Sequence, residues 1–176
     1  MTDKAALARR AILIAAGAGA AALGATLAWR KLNPPALSPV AQAFWARQFP
    51  GLDGTPLNLT PWRGKPLLVN FWATWCPPCV KELPEINQFY NEAKGKGWQV
   101  LGLAVDQADP VKAFLQKAPL DFAVALAGPE GLGLVRDLGN PAGGLPFSIA
   151  FDETGEISWR RLGVSRLQDL RALTSA

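Results

Sequence analysis

Histidine is absent from this chain of 176 residues, and methionine and tyrosine occur once each. Without an imidazole there is no Ser-His-Asp or Cys-His catalytic pair, no His-ligated metal, and no ordinary general base titrating near neutrality. Cysteine is almost as scarce, and two residues cannot close a four-cysteine zinc site within one chain. The chemistry must therefore run on cysteine, carboxylates, lysine or tyrosine. A surplus of one charge is missing too, once the net +4 is divided. Residues 1–33 carry five bases and one acid, and the remainder carries thirteen of each. The basic balance thus belongs to the N-terminal segment and points to no nucleic-acid partner. The length accommodates one domain of ordinary size.

After Lys4, Arg9 and Arg10, residues 11–29 form a run of nineteen positions without a charge, closed by Arg30 and Lys31. At ~1.5 Å per residue a helix of that length covers about 28 Å, close to the ~30 Å hydrocarbon core of a bilayer. We expect a basic cytoplasmic region at 1–10 and an uncleaved single-pass anchor at 11–29, with Trp29 at the interface. A cleaved signal peptide is the competing reading. Against it, the small-residue triplets lie in the middle of the run, which ends in Leu27, Ala28 and Trp29 before two bases. The Arg9-Arg10 pair also fits a twin-arginine export signal, less well than it fits ordinary basic flanks. Residues 30–37, with Pro34 and Pro35, read as an extended linker. Folded sequence is expected over 38–176.

Ser38 can cap a short helix with Pro39 at its first position. Asp53-Gly54 reads as a tight turn between two short strands. Residues 67–72 are nearly continuously apolar, as in a strand buried on both faces. An amphipathic helix follows from Cys76 to about Lys94. Then come a strand at 98–105, a helix at 110–117, a strand at 122–126 and a short helix at 131–138. Strands at 147–151 and 157–162 turn through 152–155 as a hairpin, and a last helix starts after the cap Ser165. This alternation predicts an α/β domain with a mixed central sheet flanked by helices.

Cys76-Pro77-Pro78-Cys79 lies where the first core strand passes into a helix, the placement of a redox pair. At the N-cap, Cys76 meets unsatisfied N–H groups and the positive end of the helix dipole, which stabilise a thiolate. Cys79 lies one turn deeper on the face of Leu83, Ile86 and Tyr90, and is the expected buried partner. Cys76 then attacks a substrate disulfide and Cys79 resolves the mixed disulfide. Neither Pro77 nor Pro78 has an N–H, so only that of Cys79 remains to hold the Cys76 sulfur. Less thiolate stabilisation makes a weaker oxidant, which favours a reductant. The other readings explain less. A structural bridge over so short a loop gains little chain entropy, half a metal site needs ligands from another chain, and two inert cysteines do not call for a helix start behind Trp75.

Phe71-Trp72-Ala73-Thr74-Trp75-Cys76-Pro77-Pro78-Cys79, followed by Glu82 and Pro84, resembles the thioredoxin superfamily. More narrowly, it is similar to the membrane-anchored TlpA/ResA-type disulfide reductases of bacteria. The likeness runs from about Pro50 to the C-terminus, through Gly64-Lys65-Pro66 and Gly144-Leu145-Pro146. It implies a thioredoxin-like fold with an N-terminal hairpin and an inserted helix element, and a catalytic domain in the periplasm, tethered to the inner membrane. It further implies protein disulfide substrates, apocytochrome c before haem attachment being the favoured one, and a membrane-embedded electron donor of the DsbD/CcdA type. No cofactor is implied.

Residue by residue, Pro146 matches the family's cis-proline, and Leu145 before it would offer its backbone to an extended substrate peptide. An ordinary trans loop proline is the alternative. Asn70 stands where cytosolic thioredoxins carry a buried Asp. In the membrane-anchored branch a helix glutamate can serve instead, here Glu82, on the flank of Cys79. A half-buried carboxylate there would have a raised pKa and could deprotonate Cys79. The alternative is a solvated glutamate, as we expect for Glu85 and Glu92. Trp75 is expected to shield the disulfide and line the substrate surface, Trp72 to pack, and Pro84 to kink the helix. Arg63, Lys65, Asp106, Arg160 and Arg161 read as solvated or loop-end residues. Two rivals stay open: an oxidant or isomerase of the same fold, and a thiolate-based Cu(I)-handling module.

Overall fold

The computed structural model describes residues 36–174, preceded by helical positions at 19, 24–26, 28 and 29. It divides into two compact units, Met1–Ala36 and Leu37–Ala176. The expected basic region at 1–10, most of the anchor at 11–29 and most of the linker at 30–37 lie outside the described residues. Among the described residues no helix is long and apolar enough to cross a membrane.

The second unit begins as its caps dictate. Ser38 Oγ accepts from the Ala41 N–H at 3.3 Å and Pro39 opens helix α1, Pro39–Trp45. Strands β1 (Phe49–Pro50) and β2 (Pro56–Leu57) pair as an antiparallel hairpin. Its turn is closed by the Asp53 carboxylate, which accepts from the Thr55 N–H and hydroxyl at 3.0 and 2.6 Å.

The main sheet contains β3 (Leu67–Trp72), β4 (Gln99–Ala104), β5 (Ala123–Leu126), β6 (Phe147–Phe151) and β7 (Ile157–Leu162), in the order β5-β4-β3-β6-β7. β3, β4 and β5 run parallel, and β6 and β7 pair antiparallel. The sheet is therefore mixed, as the alternation of elements predicts. Helices α2 (Pro77–Ala93), α3 (Ala108–Lys117), α4 (Gly131–Asp137) and α5 (Leu167–Leu173) complete the unit. An isolated antiparallel bridge from Gly51 to Ala125 ties the N-terminal hairpin to the β5 edge.

All six residues of β3 are buried, and their alternation separates two cores. Leu67, Val69 and Phe71 pack with Phe44 and Trp45 of α1 and with Leu134 and Val135 of α4. Leu68 and Trp72 pack on the opposite face with Leu83, Ile86 and Phe89 of α2, Val111 of α3 and Leu170 of α5. Asn70 lies between Leu68 and Trp72 on that second face, one polar side chain among apolar ones.

Several expectations are corrected here. The buried stripe of α2 is wider than expected: Tyr90 is partly buried against the cluster of Leu83 and Ile86, and Phe89, at the edge of that face, is fully buried as well. α3 starts at Ala108, two residues before Pro110, because a proline in the first turn removes an N–H that has no helical partner anyway. Ser165 does not cap α5: the N-cap is Arg166, and the Ser165 hydroxyl turns inward to Ser148 Oγ at 3.0 Å. Glu85 is half-buried, its carboxylate accepting from the Leu167 N–H at 2.5 Å. Glu92 is exposed, as expected, and is gripped there by Arg171 through Nε at 2.8 Å and Nη2 at 2.6 Å. Arg160 is exposed, as expected, and donates from Nε to the Leu138 carbonyl at 2.8 Å.

Close packing on the α2 face leaves no room at Gly102 of β4, where an added Cβ would stand 3.0 Å from Phe122 and 3.1 Å from Trp72 Nε1. Gly102→Ala is expected to lose about 1–3 kcal/mol of stability through overpacking. The midpoint of equilibrium urea unfolding measures it, and an unchanged midpoint would mean that this face yields.

Candidate active site

β3 delivers the chain to the redox pair at its C-terminal end. Ala73 is buried, and its carbonyl accepts from the Cys76 N–H at 3.2 Å, which folds 73–76 into a turn. Asp106, just past the end of β4, pins that turn: its Oδ2 accepts from the Thr74 N–H at 3.0 Å and the Thr74 hydroxyl at 2.6 Å. Asp106, at the loop end as expected, is thus an anchor of the active-site loop. The strand register that sets Trp72 beside Ala104 brings it there.

Cys76 is the N-cap of α2, and its sulfur accepts from the Cys79 N–H at 3.3 Å. Pro77 and Pro78 occupy the first two helical positions and supply no N–H. The two cysteines form a disulfide with 5.3 Å between their Cα atoms. Cys76 retains 5% of its surface and Cys79 none, so an attacking group reaches Cys76 alone.

The other candidates distribute around this bond. Trp75 is 60% exposed and borders an open cleft with Val105, Asp106, Gln107, Pro129 and Leu132. The Leu145–Pro146 peptide bond is cis. Leu145 packs against the cluster that contains Cys76 and Cys79. The Pro146 carbonyl accepts from the Gly163 N–H at 3.0 Å. Asn140, 3% exposed, braces the preceding loop by donating from Nδ2 to the Gly144 carbonyl at 2.8 Å.

Glu82 is buried, one turn beyond Cys79 on α2. Its Oε1 accepts from Asn70 Nδ2 at 2.6 Å and its Oε2 from the Ser165 N–H at 2.7 Å. Asn70 Nδ2 also donates to Ser148 Oγ at 3.0 Å. Burial raises the Glu82 carboxyl to about 7, against the two hydrogen bonds that lower it and with the nearby Glu85 raising it further. The group therefore takes up and releases a proton near neutrality, a capacity the missing histidine would otherwise supply. Asn70, Ser148, Ser165, Asp106 and Asn140 received no functional role from the sequence. The available signal was Asn70 itself, since a polar residue inside an apolar strand must find buried partners.

The raised carboxyl ties stability to pH. The folded protein keeps the Glu82 proton up to about pH 7, whereas an unfolded chain releases it near 4.5. Stability is then full below the lower value and falls as pH rises through the window, by roughly 3 kcal/mol in all. Urea unfolding of the oxidised protein is expected to show this decline between pH 5 and pH 8, and Glu82→Gln to flatten it. An equal decline in the variant would assign the slope to other groups.

Comparison with known proteins agrees with this geometry. Residues 35–174 match the Redoxin family. The thiol-disulfide oxidoreductases ResA of Bacillus thuringiensis (strain Al Hakam) and Bacillus anthracis are each 34% identical over 120 residues, 68% of this chain and 67% of theirs. A thiol:disulfide interchange protein of the thioredoxin family from Chlorobium tepidum TLS matches with a TM-score of 0.61 at 28% identity, covering 74% of this chain and 96% of that one. A thioredoxin-related protein from Neisseria meningitidis serogroup B matches with a TM-score of 0.62 at 28% identity, covering 71% and 94%. The chain belongs to the Redoxin family and is a thiol-disulfide oxidoreductase of the ResA type on a thioredoxin-like fold.

Proposed function

We propose that this oxidoreductase works as a reductant, tethered to the bacterial inner membrane by 11–29, with its catalytic unit in the periplasm. The single observation that carries the direction is the lone Cys79 N–H at Cys76. A thiolate held by one donor is less stabilised than one held by several, so the dithiol gives up its electrons more readily. The tether and the side of the membrane are supported by the uncharged run and by the bases ahead of it.

In this reading the Cys76 thiolate attacks a substrate disulfide, one substrate sulfur leaves, and a mixed disulfide forms. Glu82 as carboxylate takes the Cys79 proton, and the new thiolate attacks the Cys76 sulfur. The second substrate sulfur leaves with the electron pair, so the substrate gains two electrons and the enzyme ends as the disulfide. Trp75, Leu145 and Pro146 would hold the substrate as an extended segment beside the bond. The substrate class is exported proteins with a disulfide to be opened. Apocytochrome c, whose haem-attachment cysteines must be reduced before ligation, is the favoured member, by the resemblance to ResA-type reductases. A membrane-embedded thiol carrier of the DsbD/CcdA type would return the enzyme to its dithiol form.

Trapping tests the assignment. The full chain carrying Cys79→Ala is expected to accumulate a mixed disulfide with a disulfide-bonded peptide, and Cys76→Ala to form none. Glu82→Gln is expected to slow resolution on the order of 10²-fold and to remove its rise with pH through about 7. Trapping through Cys79 in the absence of Cys76, or resolution in Glu82→Gln at the parent rate, would contradict it.

A further inference from the structure

Behind the disulfide four polar side chains meet without solvent: Glu82 is 1% exposed, and Asn70, Ser148 and Ser165 are fully buried. All but one of the side-chain polar atoms there have a partner among the described residues. Asn70 Nδ2 spends its two hydrogens on Glu82 Oε1 at 2.6 Å and Ser148 Oγ at 3.0 Å. The Ser165 N–H goes to Glu82 Oε2 at 2.7 Å, and the Ser165 and Ser148 hydroxyls meet at 3.0 Å. These bonds suit an ionised Glu82, which only accepts. One atom is left over, since Asn70 Oδ1 is buried and has no hydrogen-bond partner among the described residues.

A proton on Glu82 reverses the requirement, because a carboxylic acid must donate. Oε2 faces an N–H, which cannot accept, and Oε1 faces the Asn70 NH2 group, which cannot accept either. A half-turn of the Asn70 carboxamide brings its oxygen to Oε1 in place of its nitrogen. The two ends of the amide are nearly equal in size, so the turn demands little new space. It does put the NH2 group where Oδ1 has no partner among the described residues, a desolvation cost that the bond from the acid must offset. Ser148, whose hydroxyl rotates freely, then donates to the same oxygen instead of accepting from the nitrogen.

We propose that the Asn70 carboxamide turns over with the proton on Glu82, presenting nitrogen to the carboxylate and oxygen to the acid. Asn70 is thereby a positioning residue for proton transfer, and the proposal rests on Glu82 as the acceptor of the Cys79 proton. In resolution the Cys79 S–H bond breaks, an O–H bond forms on Glu82, and the amide turns its oxygen to that proton. When Glu82 gives the proton up the amide returns, which is the arrangement of the disulfide form. When the disulfide is next reduced, Cys79 leaves as thiolate and is protonated through a Glu82 that has taken up a proton again. An amide serves both states. An aspartate at 70 would suit only the protonated Glu82, and an aliphatic residue would suit neither.

The surroundings leave this cycle to Glu82. β3 and β6 face it with neutral Asn70 and Ser148, and the connection from β7 to α5 faces it with neutral Ser165. On α2 itself the titrating neighbours are the reduced Cys79 and Glu85, whose carboxylate is held by the Leu167 N–H. Arg161 of β7 and Asp169 of α5 pair with each other at 3.3 Å.

Side-chain NMR of the full chain in detergent reads the turn directly. The Asn70 13Cγ and 15Nδ2 resonances are expected to move with pH at the same midpoint as Glu82 13Cδ, and to stop moving in Glu82→Gln. Asn70→Asp is expected to raise the Glu82 midpoint by about one pH unit or more, a carboxylate beside it being a poor neighbour for its ionised form. Asn70 resonances that stay flat while Glu82 titrates would overturn the proposal in the unaltered protein, whatever the variants do. A Glu82 midpoint unmoved in a folded Asn70→Asp protein would overturn it as well. If Asn70 follows Glu82 but Glu82→Gln resolves the mixed disulfide at the parent rate, the coupled turn stands and the acid–base role of Glu82 falls.

Discussion

The hydrogen bond from Asn70 to Glu82, 2.6 Å long and closed to water, is the constraint around which the catalytic half of the molecule is arranged. A carboxylate taken out of water is costly unless it finds donors. Glu82 finds them on β3 and on the connection ahead of α5, which ties α2 to the sheet at two points. That docking fixes Cys79 in the core and leaves Cys76 at the helix start, where the sheet ends. Glu85 and Glu92 extend the tie along α2 by gripping the Leu167 N–H and Arg171 of α5. The same helix face therefore carries the chemistry and holds the last element of the chain.

The arrangement trades stability for a proton carrier. Burial lifts the Glu82 carboxyl to about 7, which weakens the folded state in alkali and makes the group useful at neutral pH. A chain with no histidine has few other ways to move a proton beside a buried thiol. Two carboxylates then divide the labour by environment. Half-buried Asp106, saturated by Thr74 and the Gln107 N–H, holds the loop that presents Trp75 and Cys76, while burial leaves Glu82 the one raised to about 7.

The redox pair, its strand and its helix were legible in the sequence because each depends on short-range pattern: an apolar run, a Cys-Pro-Pro-Cys at its end, and a 3.6-residue stripe behind it. The mixed sheet followed from the order of the elements. What escaped was long-range pairing. Ser165 looks like a helix cap by its neighbours, yet it belongs to Glu82 and Ser148, 83 and 17 positions away. Glu85 looks like a surface charge on the same ground, and for the exposed Glu92 and Arg160 no local pattern reveals the segments that meet them. Asn70 was visible as an anomaly in its strand, but its partners come from α2 and β6 and become visible only when the sheet is assembled.

The reduction potential of the Cys76–Cys79 couple tests the central claim most directly, by equilibrating the full chain with defined thiol buffers. A reductant with one N–H donor at its attacking sulfur is expected near the value of thioredoxin, ~ −270 mV. A value near ~ −120 mV, at the strongly oxidising end of the scale, would contradict the account and make the protein one that inserts disulfides.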